Sequence, residues 1–147
     1  AQFLGAATQS GKVYCWGAPG LGLGGISDGG GPADGQVPDK KNLPDNEPMK
    51  GIACGPYTAC AWSDSKVYCW GENDTAQLGL GNRQNQKQPA LVPSLAGAKH
   101  MALGAEHTCA VTMTGQVACW GSPMGGRLGN GQLGYSPNVA RAVVGLP

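Results

Sequence analysis

The chain is poor in charge. Lys, Arg, Asp and Glu make up 13% of its residues, with ten bases against nine acids. No one-signed field follows from that balance, so neither nucleic acid nor an anionic membrane surface is expected as a partner. Aromatics are scarce, at 6% with a single Phe, and there are two His. His100 and His107, even with Glu106, are too few and too widely spaced for a recognised metal pattern. No apolar run approaches the roughly 18 residues of a membrane span, and nothing at Ala1 resembles a signal peptide. Membrane insertion is therefore not expected. Nor does any trio of nucleophile, base and orienting acid stand out, so no enzyme and no cofactor is implied.

Punctuation, by contrast, is abundant. Gly (26) and Pro (11) in 147 residues imply many turns and little helix. Against that background one block recurs: Val13-Tyr14-Cys15-Trp16-Gly17, Val67-Tyr68-Cys69-Trp70-Gly71 and Val117-Ala118-Cys119-Trp120-Gly121. Its Trp residues lie 54 and then 50 residues apart. A period near fifty marks a repeat architecture, in which no unit buries its apolar face alone.

The units fall at 1–49, 50–97 and 98–147, and each offers about four short extended runs between Gly-rich turns. That is the pattern of a four-stranded propeller blade. The class is all-β, with about two and a half to three blades. Three blades fall below the usual ring of four to eight, and an open stack leaves strand edges unpaired. A larger propeller, or closure by another chain, is expected. The first unit lacks its opening strand and carries a long Gly/Pro-rich insertion at 18–49. There Asp39-Lys40-Lys41 and Asp45-Asn46-Glu47 read as solvated surface, and this least repeat-like stretch is where specificity for a partner would sit.

The block reads further as a hairpin. If Cys109 faces Cys119, then Val111 faces Val117, Thr112 faces Gln116, and Met113-Thr114-Gly115 is the loop, with Gly115 supplying left-handed backbone. If Cys60 faces Cys69, a two-residue loop remains, Asp64-Ser65. Both Cys pairs fall on a rung with Cα atoms roughly 4.5 Å apart, a spacing that suits a disulfide. The alternative is buried reduced thiols packed as small hydrophobes. In the first unit Gly5 stands opposite Cys15, so Cys15 and Cys54 are left over. Their pairing across adjacent units would complete three bridges, although spacing alone does not fix connectivity.

Each Trp after a Cys points to the other strand face. Trp16, Trp70 and Trp120 are thus expected to pack successive blades together, while Trp62 breaks the repeat. Gly20-Leu21-Gly22-Leu23-Gly24-Gly25 satisfies a dinucleotide-binding spacing, but no helical pattern follows it. Cys54-Gly55-Pro56-Tyr57 lacks the second Cys of a redox motif. Asn73-Asp74-Thr75 is a glycosylation acceptor, expected in an exposed loop.

The third unit resembles the repeat of the regulator of chromosome condensation family. It shows Gly104, His107-Thr108, Ala110-Val111, Gly115, Val117, Trp120-Gly121 and Arg127-Leu128-Gly129. The second is similar at Gly55, Ala61, Val67-Tyr68, Trp70-Gly71 and Gln77-Leu78-Gly79, with Thr58 in the place of His107. The first has Leu21-Gly22-Leu23-Gly24 for the last motif. The resemblance implies a seven-bladed propeller and a structural packing role for His107. It also implies a scaffold whose loops bind other proteins, since the family includes small-GTPase exchange factors, ubiquitin-ligase modules, an ultraviolet-B receptor and secreted β-lactamase inhibitors. The paired cysteines resemble the repeats of extracellular members and agree with an oxidising compartment.

Two functions are therefore in view. One is a non-enzymatic, extracellular or cell-surface module that binds other proteins or further repeats, with self-assembly included. The other is an intracellular exchange factor or regulator for a small GTPase, with its cysteines reduced.

Overall fold

The computed structural model describes residues 3–17, 39–41, 43–134 and 138–146. The motif at Leu21-Gly22-Leu23-Gly24, the glycine run around it and most of the 18–49 insertion lie outside the described residues. The described chain folds as three antiparallel sheets. The first is ordered β1 (Phe3–Ala7), β2 (Val13–Gly17) and β3 (Asp39–Lys41). The second is ordered β4 (Gly51–Cys54), β5 (Thr58–Trp62), β6 (Val67–Gly71) and β7 (Gln86–Leu91). In the third, β8 (His100–Leu103), β9 (His107–Val111), β10 (Val117–Gly121) and β11 (Arg141–Ala142) follow the same order. The helical content described is one 3₁₀ turn at Met124–Gly126.

Asp39-Lys40-Lys41 is not the solvated loop expected from its charges. Its backbone pairs with β2 at Cys15↔Asp39, Tyr14↔Lys40 and Val13↔Lys41, as the outer strand of the first sheet. An outer strand tolerates charge because one edge faces solvent. Pro89 sits in β7, the corresponding outer strand of the second sheet, where one edge also needs no ladder donor.

The hairpin registers close as expected. Cys109 pairs with Cys119 and Val111 with Val117, and Gly115 turns the loop at φ 89°. Cys60 pairs with Cys69 and Trp62 with Val67. Ser63 and Lys66 then close the two-residue loop Asp64-Ser65 through Ser63 N–H to the Lys66 carbonyl, 2.9 Å.

Two cores separate the three sheets, and strand alternation decides which residue enters which. Between the first and second sheets lie Val13 and Cys15 on one side and Ala59, Ala61, Tyr68 and Trp70 on the other. Between the second and third lie Cys60, Val67 and Cys69, facing Ala110 and Trp120. β6 is consequently buried at all five residues, because both of its faces are covered.

Candidate functional site

The seat between the second and third sheets is built by the loop after β6. Asn73 is fully buried. Its Oδ1 accepts the Leu78 amide at 2.9 Å, and its Nδ2 donates to the carbonyls of Asn82 (3.0 Å) and Gln84 (3.1 Å). The expectation of an exposed glycosylation acceptor at Asn73 is therefore corrected. The amide nitrogen a sugar would occupy is enclosed and already donating. The triplet Asn73-Asp74-Thr75 is spent on the fold.

Held in this way, the loop aims the Gln77 carbonyl at the third sheet. Trp120 Nε1 donates to it at 2.9 Å and Thr108 Oγ1 at 2.8 Å. Gly79, at φ 71°, lets the loop lie against the Trp120 ring, since a Cβ there would stand 2.7 Å from Nε1. Thr75 Oγ1 donates to the Glu106 carbonyl at 3.0 Å. His107 lies over Gly104, and its Nδ1 has no partner among the described residues. Burial and the nearby Arg127 push the His107 imidazole below its ordinary value, with Glu106 opposing.

Between the first and second sheets the joint is made differently. Asp45 Oδ2 accepts from the Lys66 ammonium and from Tyr68 Oη, the latter at 2.5 Å. Glu47 Oε1 accepts from Ser63 Oγ and from Ser65 Oγ, the latter at 2.5 Å. The Lys66 ammonium, then Tyr68, hold the Asp45 carboxyl below the usual range, and the two serine hydroxyls do the same for Glu47. Asp45-Asn46-Glu47 is thus no idle surface. It clamps the end of the insertion onto the second hairpin. A carboxylate two residues from another in a polar loop carries no local sign of such a clamp.

The remaining expected residues are placed as follows. Cys60 and Cys69 are bonded, with Cα atoms 4.1 Å apart, as are Cys109 and Cys119. Trp70 and Trp120 are fully buried between sheets, and Trp16 is half-buried. Trp62 is half-buried against the second core and covers Gly51, whose lack of a side chain makes room for the ring. Cys54 keeps a half-buried thiol, so the Cys15–Cys54 bridge is not formed in this structure, although both residues belong to the first core. Among the described residues no group of three or more His, Cys, Asp or Glu could hold a metal ion. No described helix is long and apolar enough to cross a membrane.

The freest chemistry lies on loops and on the outward sheet faces. Tyr57 stands in the turn before β5, and Met124 and Leu133 in the loops after β10, with Leu133 84% exposed. Leu4 is 54% exposed on the outward face of the first sheet, at the position that Ala59 fills, fully buried, in the second.

Comparison with known proteins agrees with this architecture. The profile of the Regulator of chromosome condensation (RCC1) repeat matches residues 64–111, and a second profile of that repeat matches 98–127. The RCC1 domain-containing protein RUG3, mitochondrial, of Arabidopsis thaliana is 35% identical over 136 residues, covering 87% of this chain and 30% of that protein. Probable E3 ubiquitin-protein ligase HERC4 of Mus musculus is 39% identical over 98 residues, or 63% of this chain and 9% of that one. The chain thus spans less than a third of the length of either relative. Yeast RCC1 (Prp20), in its crystal structure with Kap60, superposes with a TM-score of 0.79 at 23% identity, over 96% of this chain and 35% of that one. Repeated block, blade order and profile agree: residues 64–127 carry regulator of chromosome condensation repeats, and the described chain is folded as blades of an RCC1-type β-propeller.

Proposed function

We propose that these blades are a non-enzymatic, protein-binding stretch of a larger propeller. One observation carries this reading: five polar side chains that the repeats place at the joint between the second and third sheets are consumed by packing. Thr108, Trp120, Thr75, Gln77 and Asn73 all bond within or between blades, which leaves rim loops and outward faces as the free chemistry. Loops on a rigid scaffold are where binding residues concentrate. Further RCC1 repeats would cover the outward faces that expose Leu4, Val144 and Leu146. The ubiquitin-ligase activity for which HERC4 is named belongs to a protein of which this chain matches 9%.

The two hairpin cystines support an oxidising compartment, outside the cell or at its surface. A second reading, an intracellular regulator with reduced thiols, has the mitochondrial name of the Arabidopsis relative in its favour. Mass spectrometry of the unreduced protein from its natural source separates the two. A deficit of two hydrogens at 60–69 and again at 109–119 is expected, and four free thiols there would sink the oxidising reading. Binding is tested with photo-crosslinking residues at Tyr57 and Leu133 of the full-length protein in its own cells. Covalent adducts to another protein are expected, and their absence at both positions counts against a binding rim.

A further inference from the structure

The first and second blades meet at a rung that differs from its two counterparts. Gly5 pairs with Cys15 at the register where Cys60 pairs with Cys69 and Cys109 with Cys119. The hairpin there lacks one sulfur. The space is not empty, however. A Cβ on residue 5 would stand 2.8 Å from Cys54 Sγ and 2.6 Å from Ile52 Cδ1. The thiol of the next blade's inner strand therefore occupies the volume that a cysteine at position 5 would need.

Comparison of the two joints shows what is special here. Cys54 pairs with Ala59 as Leu103 pairs with Thr108, so the two hold equivalent places on their inner strands. Leu103 packs over the core that contains the Cys60–Cys69 bridge. At the earlier joint the bridge is missing from the hairpin, and the covering residue is itself a cysteine. Unbonded partners directly opposite on such a rung carry Cβ atoms about 4.5–5.5 Å apart. Cys54 Sγ therefore lies no more than about 8 Å from Cys15 Cβ, within the core that both residues share, and rotamer changes at both cysteines would bring the sulfurs together.

From this we infer that Cys15 and Cys54 are a redox-responsive staple between the first two blades. Its oxidant is a low-molecular-weight disulfide such as oxidised glutathione. Cys54, half-buried and so the more accessible, attacks as thiolate and expels one glutathione thiolate, leaving a mixed disulfide. Cys15 Sγ, as thiolate, then attacks Cys54 Sγ and expels the second. The bond formed is Cys15–Cys54, the bond broken is that of glutathione, and the two cysteine protons end on two glutathione thiols. The hairpin cystines tie strands within a blade. This bond would tie one blade to the next.

The test uses the full chain with its hairpin cystines intact. It is equilibrated with oxidised glutathione, quenched in acid, alkylated with N-ethylmaleimide and digested without reduction. A peptide pair joined through Cys15 and Cys54 is expected. The melting temperature should rise by roughly 5–10 °C, because about forty residues of loop become closed. Cys54→Ser should abolish that rise while the peptides 60–69 and 109–119 stay linked. Alkylated Cys15 beside an alkylated or glutathione-capped Cys54 would overturn the staple. Since the peptide map is made on the unaltered chain, it decides the matter even if the variant fails to fold.

Discussion

The joint between the second and third blades and the joint between the first and second use the same repeated Trp under different conditions. At the later joint Trp120 and Thr108 share the Gln77 carbonyl, so two buried donors are satisfied by one backbone oxygen. At the earlier one Trp70 is equally buried, Ala59 stands in the place of Thr108, and Trp70 Nε1 has no partner among the described residues. A buried donor left unpaired costs about 1–3 kcal/mol relative to a satisfied one. Repeated sequence therefore does not mean repeated energetics. At the later joint, what the Trp gains comes from the loop of the blade before it. The earlier joint instead carries the Asp45 and Glu47 clamp.

The largest effect should come from removing what aims that carbonyl. Asn73→Ala deletes four side-chain hydrogen bonds and strands the Leu78 amide in a buried site. A loss of about 2–4 kcal/mol is expected in chemical denaturation. Hydrogen exchange should rise first in β9 and β10, which rest on this loop. Asn73→Asp restores an acceptor for the Leu78 amide but no donor for the two carbonyls, so it should recover only part of the loss.

Next comes the matched pair Trp120→Phe and Trp70→Phe. Both remove the same atoms from fully buried rings, but among the described residues only the first breaks a hydrogen bond. Trp120→Phe should be the more destabilising by about 1–3 kcal/mol. Equal losses would mean that the Gln77 carbonyl contributes nothing, and the contrast between the joints would collapse. A control within the later joint alone is Thr108→Val against Thr58→Val, both on strand faces turned to that joint. The first should cost about 1–2 kcal/mol and the second close to nothing, because the buried Thr58 hydroxyl has no partner among the described residues.

These contrasts also show what the sequence could and could not disclose. The hairpins were legible because loop length, Gly115 and the Cys pairs must agree within about ten residues, and a single register satisfies all three. Blade order followed from the period. The burial of Asn73 was not legible, because an Asn-x-Thr triplet looks the same exposed or buried. Its partners Asn82 and Gln84 lie nine and eleven residues on, in a segment with no pattern of its own. The clamp of Asp45 and Glu47 was hidden for a related reason. Their partners Ser63, Ser65, Lys66 and Tyr68 come from the neighbouring blade, and only the folded stack brings them near. The Gln77 carbonyl was invisible in principle, since every residue has one and only the loop's course selects it. The glycine opposite Cys15 was visible as an exception, but the Cys54 thiol beside it was not.

The smallest effect separates the third blade from the earlier joint by pH. The His107 imidazole is held below its ordinary value by burial and by Arg127, against Glu106. Its neutral form is favoured in the folded state. That contribution is fully present above the unfolded value of about 6.5 and is lost as pH falls through the lower folded value. Asp45 and Glu47 are depressed carboxyls, so their contribution is present above the unfolded values near 4 and is lost as pH falls through the folded values below them. Acidification should accordingly loosen the outward face of the third blade, where His107 lies over Gly104, first and the earlier joint second. In hydrogen exchange followed across the acid range, β8 and β9 should lose protection before the Ser63–Lys66 turn does. His107→Gln should erase the first step and leave the second, whereas Asp45→Asn with Glu47→Gln should do the reverse. Simultaneous loss in the unaltered chain would mean that the blades melt as one unit, with the difference between their joints too small to part them.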